Sequence, residues 1–220
     1  MNFIVETTVT ISDKIKELIQ RGNYEHFILQ LLNRSKKLFP NTFEHINKQS
    51  HGECDFIDVV TSEKYDAKLL LSPAQGRLIG SRNSNYEQWL RTMLDEVGEF
   101  GEYIRNRGKL PIENLKLYQL LKSILEKVQP DEHAIVFIPY PVTNDQANMI
   151  YGQFMGDILS VTFSKLNENG VVADRKIYAI YPCSDQSIAI RCLNTGVREY
   201  FCHDELKEYI EFDIQILKKS

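Results

Sequence analysis

The chain has 220 residues, a formal net charge of −4, 43% hydrophobic residues and 25% charged residues. That length is enough to bury a substantial core, as one large domain or two small ones, and the balance excludes disorder as the default. A mildly acidic chain does not coat nucleic acid through uniform charge, which leaves only a local basic groove for such contacts.

In chain order, Thr10-Ile11-Ser12-Asp13 opens a short helical pattern that stops near Gly22. A second helix follows Asn23, with Phe27, Ile28, Leu31 and Leu32 on one face and Pro40 beyond its end. Residues 41–54 are polar and irregular. Asp55-Phe56-Ile57-Asp58-Val59-Val60 then predicts a strand, Thr61-Ser62-Glu63-Lys64 a turn, and Tyr65 to Leu71 a second strand stopped by Ser72-Pro73. Two short strands with a polar link suggest an antiparallel hairpin.

Ser84-Asn85-Tyr86-Glu87 has the spacing of a capping box. The helix it starts carries Trp89, Met93, Val97, Phe100 and Ile104 on one face. Pro111 suits the first turn of a helix running to about Val128. The continuous apolar run 134–138 reads as a strand buried on both faces. Residues 146–166 read as a helix, 177–181 and 187–190 as strands, 203–209 as a short helix and 210–217 as a final strand. The expectation is a single α/β domain over 1–220, a mixed β-sheet flanked by helices.

Cys54, Cys183, Cys192 and Cys202 form no C-x-x-C pair, which argues against a zinc ribbon. Met1–Glu6 has no basic, apolar leader, and no apolar run approaches the ~20 residues of a membrane span. A cytoplasmic protein with reduced thiols and no membrane association is expected. No phosphate-binding loop or dinucleotide fingerprint is present, because Gly98 and Gly101 lie within a helical pattern.

The hairpin carries the chemistry. Asp66-Ala67-Lys68 is one of three D/E-x-K matches, with Asp174-Arg175-Lys176 and Glu205-Leu206-Lys207, and only the first follows an acidic strand. Strand alternation puts Asp66 and Lys68 on one face, and a hairpin brings Asp55 beside Asp66. Two convergent carboxylates suit Mg²⁺ or Mn²⁺, and the ammonium suits charge developing at a phosphoryl centre. The plain alternative is a solvated sheet face with a cross-strand ion pair worth about 0.2–1 kcal/mol. Asp58 reads as a polar outward position.

Glu53-Cys54-Asp55-Phe56-Ile57-Asp58 followed by Tyr65-Asp66-Ala67-Lys68 resembles the core signature of the PD-(D/E)xK nuclease superfamily, the restriction-endonuclease-like fold. The resemblance implies an αβββαβ core over about residues 22–140, with a C-terminal αβ extension over 141–220. It implies a metal-dependent nuclease in which Asp55 is the first acid, Asp66 the second and Lys68 the lysine, with Asp55 and Asp66 holding Mg²⁺ or Mn²⁺. It nominates Glu25, in Gly22-Asn23-Tyr24-Glu25, as the acid of the preceding helix, and Gln75 or Gln88 as a downstream Gln. It implies nucleic acid, DNA before RNA, as partner, a possible homodimer, and a setting such as phage defence, DNA repair or mobile-element biology. Cys54 stands where the family often has Pro, and the second acid is Asp66 rather than the commoner Glu. A degenerate nuclease fold that binds or scaffolds is the alternative on the same residues.

Overall fold

The computed structural model describes residues 24–46, 54–70, 111–138, 156–181 and 188–201 in full, and residues 7–10, 145–155, 182, 187, 202 and 213–216 as backbone. In chain order the elements are β1 (Thr7–Thr10), α1 (Tyr24–Arg34), β2 (Phe43–His45), β3 (Phe56–Asp58), β4 (Lys64–Leu69), α2 (Lys116–Leu125, after a 3₁₀ turn at Ile112–Asn114), β5 (Glu132–Phe137), α3 (Asp145–Glu168), β6 (Ile177–Pro182), β7 (Ser187–Cys192), β8 (Arg198–Cys202) and β9 (Asp213–Ile216). The helix expected over 85–106, with Trp89 and Val97, lies outside the described residues, as do Gln75, Gln88 and the short helix expected over 203–209.

β2 to β8 form one seven-stranded sheet in sequence order, and β1 pairs with β9 in a separate two-stranded ladder. β2–β3–β4 is an antiparallel meander, β4–β5–β6 is parallel, and β6–β7–β8 is antiparallel again. The fold is therefore α/β with a mixed sheet. The two parallel steps require crossovers, and α2 and α3 supply them. Both crossovers advance in the same direction across the sheet, which puts both helices on one face. They meet through Asn169 Nδ2, which donates to the Tyr118 hydroxyl at 2.8 Å, and through Lys165 and Glu113 at 3.4 Å.

The other face is aromatic. α1 buries Phe27, Ile28, Leu31 and Leu32 completely, and Phe27 meets Phe137 of β5 at 5.6 Å between ring centroids. Phe39, in the loop after α1, packs against Phe43, Tyr65 and Tyr178. Burying such rings contributes area and oriented ring contacts together. β5 is buried on both faces from Ala134 to Phe137, as its unbroken apolar run requires.

Strands β1, β2 and β8 were not legible in the period of their residues. β2 is a three-residue edge strand clamped by the last turn of α1: Asn33 Nδ2 donates to the Phe43 carbonyl at 3.0 Å and the Phe43 amide donates to Asn33 Oδ1 at 2.8 Å. β8, the opposite edge, is tied to the segment after α1 by Glu199, which accepts from Ser35 Oγ at 2.5 Å and from the Lys37 amide at 3.2 Å. The expected 55–60 strand ends at Asp58, because Val59 to Thr61 form the turn. No helix among the described residues is long and apolar enough to cross a membrane.

Candidate functional site

The β3–β4 hairpin is built around Asp55 and Asp66. Its register pairs Phe56 with Tyr65 and Ile57 with Lys64 and ends there, with Asp55 the residue just before β3. The Asp55 amide donates to the Tyr65 carbonyl at 3.0 Å, and the Ala67 amide donates to Asp55 Oδ2 at 2.7 Å. The Asp55 side chain therefore accepts from β4, where a strand neighbour's carbonyl would otherwise do so. Alternation sends Asp66 and Lys68 to the face opposite Tyr65 and Ala67.

Asp55 is 1% exposed and Asp66 4%. The two carboxyl groups interact, and Lys68 Nζ lies 2.5 Å from Asp66 Oδ2. Burial raises the Asp66 pKa to about 7; Lys68 opposes the shift and the interaction with Asp55 adds to it. Two carboxylates this close and this dry cannot both carry a full negative charge without a proton or a cation between them. In the metal-free chain burial therefore raises the affinity of Asp66 for a proton. Lys68 keeps part of its length in solvent, with 30% of its side chain exposed.

The structure thus brings Asp55, Asp66 and Lys68 together. Glu25 is placed differently. It sits in the first turn of α1, and its Oε2 is 2.9 Å from His45 Nε2. His45 pairs with Phe56 and its ring stands edge-on to it, so this contact is made on the aromatic face, opposite the one to which Asp66 and Lys68 point.

Asp58 corrects the outward reading. It is 4% exposed, and its carboxylate accepts from Asn41 Nδ2 at 2.8 Å, the Val60 amide at 2.8 Å and the Thr61 amide at 3.1 Å. Burial alone would raise its pKa, but these donors outweigh burial and hold it below the usual value. Asp58 is the capping residue of the hairpin turn, and Ser62 completes that turn with φ of 62°.

Sequence reasoning passed over Glu132. It pairs in register with Lys64, on the face that carries Asp66, and is 4% exposed. Burial raises its pKa, and its Oε2 accepts from the Gln129 amide at 3.3 Å. The second D-x-K match is structural: Lys176 Nζ pairs with Glu63 at 2.9 Å, and Arg175 binds backbone carbonyls. Cys54 and Cys192 are buried free thiols.

The donor set at the hairpin is all oxygen and hard, which fits a magnesium-like ion. Such ions commonly take one or two carboxylates from a protein and complete their shell with water and substrate phosphate. Among the described residues no group of three or more His, Cys, Asp or Glu side chains is arranged to hold a metal. Compared with protein-family models, with curated proteins and with solved structures, the chain has no match.

Proposed function

We propose that this protein is a metal-dependent nuclease that hydrolyses phosphodiester bonds at Asp55, Asp66 and Lys68, with DNA as the first substrate to test. The observation that carries the reading is the contact between two buried carboxyl groups with a lysine on the second. Sheet faces that serve only as scaffold seldom bury two acids against each other, because the arrangement costs stability until a cation or proton enters. Among the described elements the order α1, β2, β3, β4, α2, β5 is also compatible with the core that the resemblance implies, with Asp55 just before β3 and Asp66 on the antiparallel β4.

In this reading Asp55 and Asp66 would hold Mg²⁺ or Mn²⁺, which supplies charge neutralisation and an acidified water. Asp55 is oriented for that task by the Ala67 amide. Lys68 exchanges its ion pair with Asp66 for a position beside the phosphate, where an ammonium stabilises charge that grows in the transition state. Its partial exposure permits that movement.

The second reading is a binding or scaffolding protein on the same fold. On it the buried pair and Lys68 are kept as a structural polar cluster of the hairpin, with the Ala67 amide bound to Asp55. One experiment separates the two. Calorimetric titration of Mn²⁺ into wild type and Asp66→Asn is run beside cleavage of mixed DNA and RNA. The nuclease reading expects wild-type binding that Asp66→Asn loses, and cleavage that Asp66→Asn and Lys68→Ala both abolish. No metal binding together with no cleavage of any substrate sinks it.

A further inference from the structure

Several surface lysines of the described chain sit on carboxylates, although exposed Lys127 does not. Lys64 pairs with Asp131, Lys122 with Glu126, Lys165 with Glu113 and Glu168, and Lys176 with Glu63. The edge at β8 gathers such cations in one place. Lys36, Lys37 and Arg198 are exposed there, and among the described residues none of them pairs with an acid. Lys37 Nζ donates to the Arg198 carbonyl at 3.3 Å, which joins the two segments. Among the described residues the acid at this edge, Glu199, is turned inward. It accepts from Ser35 Oγ at 2.5 Å and from the Lys36 and Lys37 amides at 3.3 and 3.2 Å.

Alternation along β8 puts Arg198 and Tyr200 on the face opposite Glu199. Tyr200 is 48% exposed, and the Arg198 guanidinium lies 5.9 Å from its ring centroid. A helix C-terminus accounts for Lys36, whose Nζ donates to the Asn33 carbonyl at 3.0 Å. It does not account for Arg198, or for an aromatic ring left in solvent. An exposed ring backed by the unpaired Arg198 guanidinium, with the Lys37 ammonium at the Arg198 carbonyl of the same strand, matches the chemistry of an unstacked base with its phosphates.

We propose that the β8 edge, through Tyr200, Arg198 and Lys37, binds single-stranded nucleic acid, the base stacking on Tyr200 and the phosphates meeting the two cations. The proposal shares its ligand class with the nuclease reading but not its chemistry, and it holds without metal. An extended duplex fits less well, because its bases are already stacked and offer the ring no face.

The test is fluorescence anisotropy of a short labelled oligo-dT with the full chain in EDTA, at several salt concentrations. Binding is expected to weaken with salt. Tyr200→Ala should weaken it about tenfold and Tyr200→Phe less than about twofold, because the ring and not the hydroxyl stacks. Lys37→Ala and Arg198→Ala should each lower the salt slope by about 0.7. Binding unchanged by Tyr200→Ala, equal affinity for a blunt duplex, or capture by phosphatidylserine vesicles with none by oligo-dT would each overturn the proposal. Asp66→Asn should bind like wild type. The Mn²⁺ titration and the cleavage assay can fail without touching this result, and this binding can fail without touching them.

Discussion

The amide of Ala67 donates to the Asp55 carboxylate at 2.7 Å across the β3–β4 hairpin, in a place where it would ordinarily meet a backbone carbonyl. Asp55 therefore has a structural duty as well as its contact with Asp66, and its substitutions must be read with both in mind. Asp55→Ala leaves the Ala67 amide without that acceptor in a buried setting, and should cost about 1–3 kcal/mol of stability. Asp55→Asn keeps an acceptor oxygen there and should cost less than Asp55→Ala, while still abolishing Mn²⁺ binding. Urea midpoints for the two variants check the first statement, and calorimetry with Asn checks the second. Equal stability of Ala and wild type would remove Asp55 from the hairpin's support.

Asp66 sets a pH dependence of its own in the metal-free chain. Its folded pKa is raised to about 7, chiefly by burial. The unfolded carboxyl titrates near its ordinary value of about 4. Between these two values the folded state holds the proton and the unfolded state does not. The slope of unfolding free energy with pH is then negative, so this residue's contribution falls as pH rises from about 4 to about 7 and is flat beyond. Asp66→Asn should remove that fall and raise the melting temperature in EDTA at pH 8. A variant that melts at or below wild type there would show that the pair is not strained.

How much of this was legible depends on how local the cause is. The apolar face of α1, the buried run of β5 and the pairing of β3 with β4 follow from residue periods within a few positions, and each appears as the pattern predicts. The convergence of Asp55 with Asp66 also follows from alternation plus a hairpin. β2 has no such period. It exists because Asn33, on a different element, satisfies the Phe43 backbone on both sides. β1 was not read as a strand, the expected helical pattern opening only at its last residue, Thr10, and its pairing with β9 is a non-local contact no window contains. Asp58 was read as outward because it is polar, but at the end of β3 three donors from Asn41 and the turn converge on its side chain. Glu132 escaped notice because its burial depends on a neighbouring strand rather than on its own sequence context.

Arg175 is the next residue to test. Its guanidinium donates to the carbonyls of Leu125 at 3.0 Å, Val128 at 3.0 Å, Val171 at 2.6 Å and Val172 at 3.1 Å. It joins the end of α2 to the turn after α3, where Gly170 adopts φ of +72°. Arg175→Ala strips four acceptors at once and should cost about 2–4 kcal/mol, read as a fall in urea midpoint. Arg175→Lys should recover little, because an ammonium cannot fork to carbonyls on two elements. Full recovery by Lys would show that charge, not geometry, is what the site needs.

His133 supplies a pH dependence of the opposite sign at the start of β5. The Lys176 amide donates to its Nδ1 at 3.2 Å, which assigns the ring proton to Nε2, facing Glu63 at 3.6 Å. Burial holds the His133 pKa below its ordinary value; Glu63 works against that shift and Lys176 with it. The unfolded ring gains its proton near pH 6.5 while the folded ring stays neutral. The unfolded state then binds more protons, so stability falls as pH drops below about 6.5, until the folded pKa is reached. Protonating Nδ1 also removes the acceptor of the Lys176 amide, which helps join β5 to β6. In an Asp66→Asn background, free of the opposing carboxyl effect, urea midpoints should decline from pH 7.5 to pH 5.5. His133→Gln should flatten that decline, since its amide oxygen accepts the same bond without titrating. A decline that survives His133→Gln unchanged would assign it to other groups and leave His133 as packing alone.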